Sequence, residues 1–362
     1  MRTFKYVLIY LLIIQFALYY FVPLDMVYGY RMDYEVLKDN IHNIDTILEQ
    51  ISKEIKQKEL RDYLIILGDS VAFSGPGHST ESIGYYLEEM ITENEGQKAT
   101  RVFNLSMPAM QVGDIYTMLL KLDEYDISTQ NLIFNITYAG FVKRNPDPPS
   151  VFWLQDDLKN MDEVSYYSVK ANLEANNPSK DNKDFMKHFT AFLQNTIYPK
   201  LSLFQYKDFI KNSILNPNGD DALGDARVWS EKEGLRELLN QYEYQLGFSP
   251  DSFDMSSRNP QVYFLNKIIE HQRDKNTLIF LAGTNEVLMA PEVSTAGYQD
   301  NLKRVDEYFQ NKGIKYLNLQ GKLPDSLFTD HIHLTPAGYY KLAEILYNHF
   351  LGNSEIEQPI NK

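Results

Sequence analysis

Five short apolar runs, each closing on small or polar residues, constrain this chain most: Tyr63–Leu67 (YLIIL), Arg101–Leu105 (RVFNL), Asn131–Thr137 (NLIFNIT), Thr277–Gly283 (TLIFLAG) and Ile314–Leu319 (IKYLNL). Each has the length of a strand, and nearly unbroken apolar character means burial on both faces. Between and after them, Ile83–Ile91, Ile115–Leu122, Val262–His271, Tyr298–Gln310 and Pro336–Phe350 place apolar residues three and four apart, as an amphipathic helix does. The alternation predicts an α/β fold: a parallel five-stranded sheet between two helical layers. In such sheets ligands sit at the carboxyl ends of the strands.

The N-terminus reads differently. After Arg2 and Lys5 the run Tyr6–Leu24 is uncharged and contains a single polar amide, Gln15. It is near the ~20 residues that cross a bilayer as a helix. A cleaved signal peptide is the alternative, but no small-x-small cleavage site follows. Residues 1–24 are therefore expected to be a transmembrane signal anchor, single-pass in a cell membrane, with the C-terminal domain outside the cytoplasm. Over residues 25–60, Leu37, Ile41, Ile44, Leu48, Ile51 and Ile55 form a heptad-like seam on one long helix, which suits a stalk, a packed helix or a dimer contact. Residues 61–351 form the α/β domain, and 352–362 are a polar tail. Within that domain 140–260 is an insertion, too long for a structureless loop, with helical pieces at Phe185–Leu193 and Glu231–Leu246.

Net charge and cysteine content exclude several classes. At −14, with no basic cluster beyond the N-terminus, the chain lacks the footprint of a nucleic-acid-binding protein. Without cysteine it has neither disulfides, a thiol nucleophile nor Cys-ligated zinc. No cofactor is implied.

Two motifs carry chemistry. Gly68-Asp69-Ser70 follows the first strand directly, where Ser70 is either a nucleophile on a strand-to-helix turn or the polar end of a strand. Asp330 and His333 lie in FTDHIHLTPAG, after the fifth strand and just before the last helix. The loops after parallel strands open on one sheet edge, so Ser70, His333 and Asp330 can converge. A serine needs a base to become nucleophilic, and the base needs a carboxylate to fix its tautomer. The plainer readings are that Asp330 and Thr335 cap the last helix, or that His331 and His333 bind a metal, for which no third ligand presents itself.

Together these residues resemble the SGNH (GDSL-type) serine hydrolase superfamily over roughly 62–140 and 261–351. The resemblance implies a flavodoxin-like α/β/α sandwich, Ser70 as nucleophile and Asp330 and His333 as its partners. It also implies an oxyanion hole, of which Ser70 N–H is one donor. The family's glycine donor falls on Ala109, which serves if its turn needs no positive φ. The family's asparagine after the third strand is missing from NITYAGF. Asn285 follows the fourth strand and is kept only as a candidate, with Thr137 and Tyr138 as possible substitutes. Asp69 is grouped with these binding residues. Asn104 and Asn135 sit in glycosylation-type sequons inside strands and carry no weight.

The anchor and insertion are similar to the family's membrane-tethered branch, which handles acyl groups in teichoic-acid D-alanylation and in alginate and peptidoglycan O-acetylation. That implies acyl transfer or hydrolysis on a cell-envelope polysaccharide or glycopolymer, beside a membrane-bound O-acyltransferase partner. The competing expectation is a non-catalytic envelope scaffold or polysaccharide-binding protein, for which 26 tyrosines would supply stacking surfaces.

Overall fold

Strands form where the apolar runs predict them: β1 (Tyr63–Leu67), β2 (Arg101–Asn104), β3 (Asn131–Ile136), β4 (Asn276–Leu281) and β5 (Lys315–Asn318). The computed structural model describes residues 2–94, 101–145, 147–176, 201–216 and 221–351. The strands make one parallel sheet in the order β2-β1-β3-β4-β5. The connection reverses direction between β1 and β3, which opens a crevice at their carboxyl ends.

Alternate strand residues face two separate cores. Leu64, Ile66, Val102, Ile133, Leu278 and Phe280 meet residues of the helices Ile83–Asn94 and Pro336–Leu351. Ile65, Leu67, Phe103, Leu132, Phe134 and Ile279 meet Val112–Glu124, Pro260–His271 and Ala296–Gln310. The sheet is thus the middle of three layers. The last helix packs beside Ile83–Asn94, the helix that follows the β1 turn, so the loop before it is drawn across the sheet edge from β5 toward β1.

The N-terminal third departs from expectation twice. The seam is split between two helices, Tyr34–Asp39 and Asn43–Gln57. Asp33 caps the first by accepting from Val36 N–H, and Asn43 Nδ2 reaches back to Val36 C=O across the break. Leu37, Ile44, Leu48 and Ile51 are 0% exposed, so the seam faces the domain and is no free stalk. Lys121, nearly buried, anchors it by pairing with Asp45 at 2.6 Å and Asp157 at 2.8 Å.

The expected transmembrane helix is not met either: among the described residues no helix is long and apolar enough to cross a membrane. The first helix, Arg2–Phe21, carries basic residues at its start, and Gln15 midway turns toward protein. The Gln15 amide donates to Ser202 Oγ and accepts from Leu203 N–H, both at 3.3 Å, docking the helix on Ser202–Leu215. Away from this contact the helix is bare around most of its circumference, with Phe4, Tyr10, Phe16 and Phe21 65–83% exposed.

Of the insertion, Phe185–Leu193 lies outside the described residues, as does the tail at 352–362. The expected helix Glu231–Leu246 is broken into Leu235–Leu239, Tyr242–Gln245 and short 3-10 turns, with Gly234 at φ +74° before the first piece. Other parts are helical: Gln155–Met161, Glu163–Asn176 and Ser202–Leu215.

Candidate active site

Gly68 sits at φ +147°, where a side chain is strained in any case, and a Cβ there would lie 1.8 Å from Asn135 Oδ1. That backbone turns Asp69 and Ser70 out of β1. Asp69 then caps the four-residue helix Ser70–Phe73 by accepting from Val71 N–H at 2.9 Å. Asn135, at the end of β3, grips the same residue from both sides. Its Oδ1 accepts from Asp69 N–H at 2.9 Å, and its Nδ2 donates to Asp69 Oδ1 at 2.8 Å. From β2, Asn104 Nδ2 donates to Ala72 C=O at 2.8 Å. The two asparagines set aside as sequons are 0–2% exposed and hold the serine turn in place.

His333 reaches this turn from the far side of the sheet. Ser70 Oγ lies 2.8 Å from His333 Nε2, and His333 Nδ1 lies 2.7 Å from Asp330 Oδ2. Asp330 Oδ1 accepts from the N–H groups of Ile332 and His333, at 2.8 and 2.7 Å, so the carboxylate is fixed by its own loop. Burial pushes the Asp330 carboxyl up, but the charge and hydrogen bond of His333 outweigh it and hold the group well below the usual carboxylate range. An ionised Asp330 only accepts, so the ring proton sits on Nδ1 and Nε2 is left to accept from Ser70 Oγ–H. Burial lowers the affinity of His333 for a proton; Asp330 beside it and the charge of Asp69 more than restore it, and the net direction is up. Asp69 is itself raised by burial, against the hydrogen bonds from Val71 and Asn135.

The described part of the insertion braces both arms of the site. Thr329 Oγ1 donates to Asp225 C=O or Arg227 C=O, at 2.8 and 2.7 Å, and Lys232 Nζ donates to Thr329 Oγ1. Trp229 N–H donates to Phe328 C=O at 3.0 Å. Leu223 N–H donates to Pro76 C=O, just past the serine helix.

Asn285 is placed elsewhere than an oxyanion hole. It is 0% exposed and supports the histidine loop: Nδ2 donates to Asp330 C=O at 3.4 Å, Oδ1 accepts from Leu288 N–H and its own N–H donates to His331 C=O. Tyr138 is also committed, donating to Ser249 C=O at 2.7 Å and accepting from Asn301 Nδ2. Ala109 is at φ +63°, so its turn does need the left-handed backbone, which disfavours alanine by roughly 1–2 kcal/mol. Met107 N–H donates to Gly68 C=O at 3.0 Å, which keeps this turn against the serine turn. Among the described residues, neither Ser70 N–H nor Ala109 N–H has an acceptor. His331 does not join His333 as a ligand pair; its ring stands edge-on to Tyr244 and Phe248, and both nitrogens of His333 are engaged.

Two residues important to the site gave no sequence signal. Arg31 and Arg144 are lone cations in unremarkable surroundings, and only the fold brings them to the carboxyl edge of the sheet. A cavity of about 110 Å3 there is lined by Asp69, Gln111, Asn135, Thr137, Arg144 and Gln261 among others. A cleft of about 650 Å3 elsewhere on the molecule is lined by residues such as Asn40, Lys121 and Gln205 and by none of the triad. No protein-family model and no curated protein matches the chain.

Proposed function

We propose that the protein is a serine esterase or O-acyltransferase of the SGNH type. The observation that carries this reading is the hydrogen-bonded series Ser70 Oγ, His333 Nε2, His333 Nδ1 and Asp330 Oδ2, at 2.8 and 2.7 Å. Ser70 Oγ attacks an acyl carbonyl carbon while His333 Nε2 takes the hydroxyl proton. The C–O bond to the leaving group breaks, and that oxygen receives the same proton from Nε2. A hydroxyl of the acceptor, or water, then gives its proton to Nε2 and attacks the acyl-Ser70 ester, releasing the serine. The N–H groups of Ser70 and Ala109, both without acceptors among the described residues, are the candidate donors to the oxyanion.

The substrate we assign by analogy is a cell-envelope glycopolymer bearing acetyl or another small acyl group. The bare apolar surface of helix Arg2–Phe21 supports attachment to a membrane, where a membrane-bound O-acyltransferase would be the acyl donor's source. The test is intact mass after incubation of the full chain, in detergent, with p-nitrophenyl acetate. An acetyl adduct on the native chain that is missing from Ser70→Ala supports the reading; added sugars that collect the acetyl group identify transfer. A folded chain that neither releases nitrophenol nor gains mass sinks it and leaves a polysaccharide-binding scaffold.

A further inference from the structure

The cavity at the carboxyl ends of β1 and β3 holds polar groups for which the acyl chemistry has no use. Among the described residues Arg144 Nε is buried there without a hydrogen-bond partner, and the one acceptor of its guanidinium is Ala139 C=O, from Nη2 at 2.8 Å. Gln261 is 8% exposed, and its side-chain amide has no partner among the described residues. The same holds for the Thr137 hydroxyl. Of the three, Arg144 Nε is itself buried, and buried polar groups are hydrogen-bonded in more than about nine cases in ten, so it calls for an acceptor; the Gln261 amide and the hydroxyl of half-buried Thr137 line the same cavity with donors to spare.

Charge narrows what that acceptor is. A guanidinium only donates, and a partly buried cation is normally paired. Arg144 forms no ion pair among the described residues, in a chain where 49 acidic residues outnumber 35 basic ones. Two carboxylates stand near it. Asp69 is engaged by Val71 N–H and Asn135 Nδ2, and Asp147 accepts the backbone N–H of Arg144. The charge of Asp147 only partly offsets the burial that weakens Arg144 as a base, so an anion in the cavity would add countercharge that water does not. The cavity, about 110 Å3 and open on one side, admits a carboxylate or phosphate.

We propose that this cavity is a subsite for a small oxyanion, carboxylate or phosphate, carried by the molecule that reacts at Ser70. Which molecule carries it rests on the acyl-transfer reading above; the anion site itself does not. Because Asp69 both lines the cavity and precedes Ser70, an anion held by Arg144, Gln261 and Thr137 fixes the substrate beside the nucleophile.

Two measurements separate these statements. In spectra of the full chain labelled with 15N-arginine, one Nε–Hε resonance disappears in Arg144→Gln. That resonance is expected to shift saturably with acetate and with inorganic phosphate, and not with chloride. No shift, or an equal shift with chloride, overturns the subsite. In the second measurement Ser70 acylation by mono(4-nitrophenyl) succinate is compared with acylation by p-nitrophenyl acetate. Arg144→Gln is expected to lower the charged-to-neutral ratio of kcat/KM at least tenfold if the anion belongs to the acyl group. If it belongs to the acceptor, the ratio holds, and transfer to galacturonate falls tenfold relative to galactose. Equal losses on all four substrates make Arg144 structural and overturn the proposal. A saturable shift with no acylation by either ester keeps the subsite and rejects the acyl reading.

Discussion

Burial alone would make His333 a weaker base, yet Asp330 and Asp69 turn the direction upward. The sign for activity follows. The base must be neutral to accept from Ser70 Oγ–H, so protonation silences it. The acylation rate should therefore rise with pH through an apparent pKa above the ordinary histidine value of about 6.5, falling tenfold per unit below it. Asp330→Asn removes the main cause of the upward shift and, if its Nδ2 amide takes the place of Oδ2 and donates, favours the wrong tautomer. We expect a loss of roughly 10⁴ in kcat, with the residual limb moved to lower pH. Pre-steady-state nitrophenol release against pH measures both; a limb that stays in place in the variant would remove Asp330 from its role. Neighbouring Asn285 shows the reach of the sequence at this scale. Its residue type and its place after a strand suggested an oxyanion donor, and the three triad residues could be picked out in the same way. What a sequence does not carry is which hydrogen bonds a side chain is left with after folding. Asn285 spends its amide on Asp330 C=O and Leu288 N–H, and Asn135, passed over, grips Asp69.

At the scale of elements, the strand ends and helices were readable because burial on both faces leaves a continuous apolar run and burial on one leaves a period. The boundaries agree within about two residues at each strand. The turn that carries Ser70 was readable only as a motif, since its geometry is imposed from three other places. Gly68→Ala would press a methyl group into Asn135 Oδ1, and we expect it to abolish acylation and lower Tm; unchanged kinetics would show that the turn tolerates another backbone. Less expected is the hold exerted by Arg31, from the segment before the first packed helix. It is 2% exposed, lies 4.2 Å over the Phe73 ring, and donates to the carbonyls of Phe73, Ser74, Gly77 and Asp221 at 2.7–3.2 Å. The first two close the C-terminal end of the helix that Ser70 begins, where carbonyls have no partners of their own. Arg31→Met would strand several buried carbonyls, each costing about 1–3 kcal/mol. Thermal melts should show the destabilisation. If Arg31 also positions Ser70, kcat falls much further than KM changes, and Arg31→Lys restores little of it, because an ammonium lacks the planar fork. Equal kcat in a stably folded Arg31→Met chain would leave it a purely structural residue.

Taken whole, the molecule has one surface that does not match the rest. The first helix exposes aromatic and aliphatic residues around most of its circumference, and Gln15 ties it to Ser202–Leu215. Beginning at Val22 the chain changes character: Val22, Leu24, Val27, Tyr28 and Met32 are 0–6% exposed and belong to the main core. Hydropathy alone cannot separate these two segments, because apolar residues that stay exposed and apolar residues that enter a core read alike in sequence. Two truncations divide these roles. A chain beginning at Val22 loses only the exposed helix and the contacts of Gln15 and Leu18. It should stay monodisperse without detergent, keep Ser70 acylation, and fail to float with liposomes that carry the full chain. A chain beginning at Asp33 also loses Tyr28, whose hydroxyl accepts from Asn104 N–H at 2.7 Å, and Arg31, and with them both supports that reach the serine turn from the N-terminal segment. It should melt at a lower temperature and acylate poorly or not at all. If the Val22 chain floats as well as the full one, the first helix is not the membrane contact; if the Asp33 chain acylates normally, the segment between them is dispensable and the serine turn stands on the two asparagines alone.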